Sequence, residues 1–375
     1  MQVLSSMRRD FLPRRVVVLG GARTPIGSFL GALRAAPASR LAAAAAAGAL
    51  QRSGVAPAEI QQCVVGQVIV SGEGRGAHRL ALQRAGSLAP LEQLQQQQQL
   101  PLLLLLLQLH GSTKAPEKGI PPSASVYGVN GSCPTGLRAA CLAASSVALG
   151  ETPLALAVGV ESLSNAPYLL LKARQGGYEV GNGALVDSLV FEGLRGSDKQ
   201  QLPGKRTDTA AAQWGISRGD CDNYVVQSFK RAADAASSGF FRLEGLLPFS
   251  TASAGTPNQR ANCAACSPQV PQLQQQQRRV PVSRHRRQQQ QLQQDWETPG
   301  VVQHDEEVHR RSLDRLASAG PVFGPEGLTT SENAFRLGDG AAAVVLATDE
   351  EARKRGLKPL VRQVSALLQL SHSCS

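Results

Sequence analysis

Aromatic residues are scarce in this chain, at 4% of 375 residues. Few flat side chains are therefore available for base stacking, which argues against a surface that binds single-stranded nucleic acid. A membrane span is missing too, since the longest apolar run, Leu100–Leu107, contains Pro101 and falls short of the roughly 20 residues that cross a bilayer. Seven cysteines in a chain of this length suggest no secreted disulfide framework, and we infer a reducing compartment.

The positive charge of the chain is concentrated in two segments that have one acidic residue or none. The net charge is +11, of which residues 251–294, with six arginines and no acid, hold +6 and residues 1–15 hold +3. The rest of the chain carries only +2. This distribution argues against a basic nucleic-acid-binding fold, because the chain outside these two segments is close to neutral.

Two segments lack the periodicity of either helix or strand. Residues 87–118 include Gln95–Gln99, and residues 250–298 include Gln274–Gln277 and Gln288–Gln291. Glutamine-rich, low-complexity composition supplies little apolar surface to bury, so both are predicted to be disordered insertions that need not pack.

The remaining chain alternates between apolar runs and helical patterns. The patterns predict strands at 16–19, 64–70, 154–159 and 341–346, and helices at 39–54, 133–149, 220–236 and 349–356. Ser39 is the expected N-cap of the first helix and Gly54 its stop. Strands that are apolar throughout and separated by helices indicate an α/β fold with a mostly parallel sheet covered on both faces.

The sharpest chemical feature is Cys133, which follows Val129-Asn130-Gly131-Ser132 and precedes an alanine-rich helix. Backbone N–H groups at a helix start stabilise a thiolate, which is the nucleophilic form of cysteine. Pro134 suits the first helical position, where an N–H would have no helical acceptor. The alternative is an inert, buried cysteine in a small-residue helix.

Further segments resemble the thiolases, the acyl-CoA acetyltransferases, in the order in which that family has them. They are Ala22–Phe29, Gly66–Val68, Gly72–Gly74, Val129–Asn130, Gly159–Tyr168, Gly176–Tyr178, Leu185–Asp187, Ile216–Arg218, Gln227–Ala232 and Asp339–Ala343. Ketoacyl synthases share the fold and a cysteine at a helix start, but Arg23-Thr24-Pro25 and residues 164–168 favour a thiolase.

The resemblance implies a ping-pong transfer in which Cys133 accepts an acetyl group and a second acyl-CoA condenses with it. It implies acetyl-CoA and acetoacetyl-CoA as substrates, coenzyme A thioesters without a permanently bound cofactor, no metal, and a homo-oligomer (dimer or tetramer). Nucleic acid and membrane are not expected partners. The compartment is expected to be mitochondrial or cytoplasmic. Cys263 and Cys266 have zinc-ligand spacing but no second pair, so we predict no metal site there.

The resemblance also implies a thiolase-like α/β fold: an N-terminal half built on a mixed sheet with helices on both faces and interrupted by a loop domain, and a second half-domain that is largely missing. The expected division is an extension at 1–15, the N-terminal domain at 16–166 and 331–356, a loop domain at 167–330, and the first strand of a truncated C-terminal domain at 357–375.

The sequence departs from the family in its catalytic groups. The family's activating histidine lies in a Gly-His-Pro motif and its second cysteine in a Cys-x-Gly motif, both after the strand at 341–346. Here the chain reaches Ser375 without either motif in that region. We therefore expect a catalytically incomplete acetyltransferase. The alternative is a non-catalytic protein that binds acyl-CoA or another partner on a degenerate thiolase scaffold.

Overall fold

A computed structural model gives the fold of the protein. It describes residues 14–74, 78–79, 82–83, 119–178, 180–195, 202–251, 300–310 and 313–361. Nearly all of the two glutamine-rich segments predicted as insertions, and the paired cysteines at 263 and 266, lie outside these residues.

Ten strands run through the described chain. They are β1 (Val16–Arg23), β2 (Gly27–Ser28), β3 (Gln62–Gly66), β4 (Ser125–Val129), β5 (Leu154–Ser162), β6 (Tyr168–Leu170), β7 (Leu185–Asp187), β8 (Phe249–Ser250), β9 (Val301–Val302) and β10 (Gly338–Thr348). The α-helices of the described residues are α1 (Ala38–Ser53), α2 (Thr135–Leu149), α3 (Pro203–Gln213), α4 (Arg218–Ser237), α5 (Phe240–Leu243), α6 (Glu306–Arg310) and α7 (Asp349–Lys354).

The central sheet has the strand order β1-β10-β5-β3-β4, with β2 paired to β10. Strand β10 is antiparallel to both β1 and β5, whereas β3 is parallel to β5 and β4. The sheet is therefore mixed, and the mostly parallel sheet expected from the apolar runs is wrong. An apolar run indicates that a strand is buried on both faces. This is true of β10 as it is of the parallel strands, so the run does not reveal the direction of the strand.

Helices cover both faces of this sheet, as predicted. Alternate residues of β5 divide between two cores, with Leu156 and Val158 in the core that includes α1, and Ala155 and Ala157 in the core that includes α2. Because successive strand side chains point to opposite faces, one strand contributes to both cores. The small alanine side chains of both helices allow close packing on the sheet.

The predicted element ends are partly correct. Gly54 ends α1 in the left-handed conformation (φ 70°), which confirms it as the stop. Ser39 as N-cap is wrong, since the helix begins at Ala38 and Pro37 occupies the cap position. The strand predicted at 64–70 ends at Gly66, because the N–H groups of Val68 and Ile69 bond to the Glu161 carboxylate instead of a strand.

The N-terminus of α4 offers a test of local stability. Ser217 accepts a hydrogen bond from the backbone N–H of Asp220 (3.2 Å), and the Asp220 carboxylate accepts one from the Ser217 N–H (2.9 Å). Ser217→Ala removes the cap and is expected to lower the free energy of unfolding by about 1 kcal/mol. Ser238→Ala at the other end of α4, measured by the same denaturant titration, is the control, and equal losses in both variants would contradict the capping role.

The domain boundaries proposed from the sequence remain predictions. Within the described residues, Val361 forms an antiparallel bridge with Val18, and the Val18 N–H donates to the Val361 carbonyl (3.1 Å). Residue 361 therefore lies beside the edge strand β1. No helix in the described part of the chain is both long and apolar enough to cross a membrane.

Candidate active site

Cys133 lies in a tight turn between β4 and α2 and is exposed, with a free thiol. The turn is organised by Asn130, whose Oδ1 accepts a hydrogen bond from the Ser132 N–H (3.0 Å) and whose Nδ2 donates to the Val68 carbonyl (3.0 Å). Asn130 thus ties the turn to the segment that follows β3. An inert, buried Cys133, the alternative left by the sequence, does not agree with this exposure.

The helix start differs from the prediction by two residues. Helix α2 begins at Thr135, and Pro134 occupies the N-cap position with φ −79° and ψ 14°. Cys133 therefore precedes the helix, and Pro134 is not its first residue. Ser132 has a positive φ of 59°, which reverses the chain directly before the cysteine. That left-handed residue explains why the regular helix starts only at Thr135.

The start of α2 packs very closely against the end of strand β3. A Cβ atom on Gly66, the last residue of β3, would lie 2.6 Å from the Thr135 carbonyl oxygen. Gly136 in turn contacts Gly159 of β5, where a Cβ atom on Gly159 would lie 3.0 Å from the Gly136 Cα. The turn with Cys133 is therefore placed at the carboxyl ends of β3 and β4, the usual position of a ligand site in a sheet with parallel strands.

A recess of about 390 Å³ lies beside the turn. Its lining residues are Gln67, Val70, Glu73, Gly74, His78, Gly128, Val129 and Asn130. Burial lowers the pKa of the His78 imidazole, so the neutral form is favoured there. Burial likewise raises the pKa of the Glu161 carboxyl group, which accepts the N–H groups of Val68 and Ile69.

The sequence did not single out His78 or Thr135 for a role at this site. His78 belongs to no sequence motif discussed above. It reaches the wall of the recess because its segment packs beside β4 in the folded chain. Asn130 belongs to a segment that resembles the thiolases, but that resemblance does not indicate the hydrogen bonds that Asn130 makes in the turn. An Asn two residues before a serine is a turn signal that could have predicted the hydrogen bond to Ser132.

Other motif residues are structural. Arg23 of β1 forms a bidentate ion pair with Asp305, with nitrogen–oxygen distances of 2.7 and 2.9 Å. The Asp339 carboxylate of β10 accepts the backbone N–H of Ser164 (2.9 Å) and the Ser164 hydroxyl. Burial raises the pKa of Asp339, and these hydrogen bonds act in the opposite direction. They hold segments that are distant in sequence against the central sheet.

Metal ligands do not cluster in the part of the chain that the structure describes, where no group of three or more His, Cys, Asp or Glu side chains could hold an ion. An exposed thiol at the entrance to a helix can attack an electrophilic carbonyl carbon once it is deprotonated.

The fold and the turn together define a class of protein, an α/β scaffold that presents an exposed cysteine at the carboxyl ends of parallel strands. The chain matches the family model "Thiolase, N-terminal domain" over residues 16–97, 111–262 and 261–350. It belongs to the thiolase family, a family of acyltransferases.

Individual relatives agree with this assignment. The chain is 29% identical over 350 residues to an acetyl-CoA acetyltransferase of Shinella zoogloeoides, covering 93% of this chain and 69% of that protein. An acetyl-CoA acetyltransferase of Chromobacterium violaceum is 30% identical over 345 residues, with 92% and 69% covered. A solved acetyl-CoA acetyltransferase from Syntrophomonas wolfei superposes with a TM-score of 0.67 at 28% identity, covering 92% of this chain and 67% of that one.

Proposed function

We propose that this protein is a thiolase-type acetyltransferase whose Cys133 takes an acetyl group from acetyl-CoA. The supporting observation is the exposed thiol on a turn that Asn130 ties to the end of β3. In this step the Cys133 thiolate attacks the thioester carbonyl carbon, the carbon–sulfur bond to coenzyme A breaks, and the released coenzyme A thiolate takes up a proton. The product is an acetyl-cysteine.

The second half-reaction would condense this acetyl group with another acetyl-CoA to give acetoacetyl-CoA, or proceed in reverse. It needs a base to remove a proton from the α-carbon and donors to stabilise the resulting enolate. In the family, the histidine of the Gly-His-Pro motif activates the nucleophile and the cysteine of the Cys-x-Gly motif exchanges the α-proton; neither motif lies between β10 and residue 375. Of the two half-reactions, the described residues support the first, because its nucleophile is the exposed Cys133 thiol.

Family membership supports the remaining features of the proposal. Coenzyme A thioesters are the substrates, with no permanently bound cofactor. A homo-oligomer, dimer or tetramer, is the proposed assembly, and mitochondria or cytoplasm the proposed location.

Intact-protein mass spectrometry after incubation with acetyl-CoA tests the first step. We expect a single acetyl adduct on the wild-type chain and none on Cys133→Ser, because a serine hydroxyl at neutral pH is a far weaker nucleophile than a thiolate. The control is Cys141→Ser, which removes a partly buried thiol within α2 and is expected to keep the adduct. Acetylation that persists in Cys133→Ser would contradict the proposed nucleophile.

The recess of about 390 Å³ beside the turn also favours a second function, that of an acyl-CoA-binding protein without turnover. Calorimetric titration of the same preparation with coenzyme A distinguishes the two functions. Binding without an adduct would support the binding protein, whereas an adduct without release of acetoacetyl-CoA is the result expected for the half-reaction proposed above.

A further inference from the structure

The hydroxyl group of Thr135 lies under the turn that carries Cys133. Thr135 is only 3% exposed, although it is the first residue of α2 and follows the exposed Cys133 by two residues. Its Oγ1 accepts a hydrogen bond from the Gly131 N–H (2.8 Å) and donates one to the Ser132 carbonyl. One hydroxyl therefore holds the backbone on both sides of the bond between Gly131 and Ser132.

Ser132 needs such support because of its conformation. A positive φ of 59° places a Cβ-bearing residue in the left-handed region, which most residues other than glycine avoid. A conformation of this kind persists where surrounding contacts over-determine it. Asn130 holds the Ser132 N–H and Thr135 holds the Ser132 carbonyl, so both peptide groups of Ser132 are fixed by side chains.

We propose that Thr135 is a positioning residue for Cys133. By holding Ser132 in the left-handed conformation, its hydroxyl sets the direction in which the following residue presents its thiol. The inference rests on the proposed role of Cys133 as the nucleophile. It assigns Thr135 no contact with substrate, and its effect passes entirely through the backbone of residues 131–133.

The hydroxyl, rather than the size of the side chain, is the group that matters. Valine has the shape of threonine but its side chain neither donates nor accepts. Thr135→Val therefore leaves the Gly131 N–H without this partner, and it leaves the Ser132 carbonyl with only the backbone N–H of residue 135 (3.0 Å). Serine keeps the hydroxyl and loses only the methyl group, Cγ2, which packs near Gly66. The two variants therefore separate hydrogen bonding from packing.

The rate at which iodoacetamide alkylates Cys133, followed by peptide mass spectrometry from pH 6 to 10, measures how the thiol is presented. We expect Thr135→Val to slow alkylation about tenfold, the effect of losing two partly buried hydrogen bonds that hold the reactive conformation. Thr135→Ser is expected to restore most of the rate. All rates are measured where circular dichroism shows each variant to be folded.

Thr152→Val is the matched control. Thr152 is also buried and donates to a backbone carbonyl, that of Leu154 (2.8 Å), but it follows the other end of the 15-residue helix α2, about 20 Å away. Its variant is expected to lose stability and to keep the wild-type alkylation rate. A folded Thr135→Val that reacts at the wild-type rate, or a Thr135→Ser that does not rescue it, would overturn the proposal.

This test stays distinct from that of the proposed function, because iodoacetamide reports on the thiol without any acyl transfer. If acetyl-CoA leaves no adduct on the wild-type chain while Thr135→Val still slows alkylation, the acetyltransferase proposal fails and the positioning role stands. If the adduct forms and Thr135→Val alkylates normally, the positioning role fails alone.

Discussion

Between about pH 9 and pH 12 the free energy of unfolding is expected to fall by about 4 kcal/mol because of Cys63 alone. Cys63 is fully buried on β3, and burial raises the pKa of its thiol from 9.0 to about 12. A folded-state pKa above the unfolded value means that the native protein binds the proton more tightly. The stabilisation is therefore complete below pH 9 and is lost as the pH rises towards 12.

Urea titrations at stepped pH measure this dependence as a difference between wild type and Cys63→Ala. The variant is less stable at neutral pH because it leaves a small cavity, but its stability should fall less steeply above pH 9. Cys141→Ala, on the partly exposed side of α2, should follow the wild-type slope. Parallel curves for wild type and Cys63→Ala would rule out the contribution of the Cys63 thiol.

Gly66→Ala is expected to lower the free energy of unfolding by about 3 kcal/mol. The added Cβ would lie 2.6 Å from the Thr135 carbonyl oxygen and 2.9 Å from its carbonyl carbon. Real Cβ atoms do not approach backbone so closely, and the obstacle is the first residue of a helix that cannot rotate away as a flexible side chain could. Helix α2 must therefore shift off β3, carrying the Cys133 turn with it.

Thermal and urea unfolding, together with the Cys133 alkylation rate, measure the two consequences of Gly66→Ala. Stability should fall and the alkylation rate should change. Gly131→Ala is the matched control for stability, since a Cβ there has nothing within 4 Å and φ is not positive. If Gly66→Ala is as stable as Gly131→Ala, the close approach of α2 to β3 described above is wrong.

Much of the fold could be predicted from local patterns. The apolar runs at 154–159 and 341–346 lie within β5 and β10, and Gly54 ends α1 as the glycine signal indicated. Helices on both faces and a cysteine at the junction of a turn and a helix were also expected. These features depend on residues near one another in sequence, where burial, caps and turn preferences leave a visible pattern.

The direction of β10 could not be predicted in this way. Its alanines and valines are buried whether its neighbours are parallel or antiparallel, and the antiparallel pairing depends on how a long intervening segment returns the chain to the sheet. The start of α2 was placed two residues early for a related reason. Nothing local in Cys133-Pro134 reveals that the Thr135 side chain reaches back to hold residues 131 and 132.

The sequence by itself indicated the longer strands and helices, because these leave a local pattern of apolar residues and caps. The resemblance of its ordered motifs to the thiolases indicated the family and the cysteine proposed as nucleophile. Only the tertiary structure decided the strand order of the sheet, the packing of α2 on Gly66, the recess beside His78 and the burial that raises the pKa of Cys63. These depend on contacts between residues far apart in the chain, where the identity of one residue does not specify its neighbour in space.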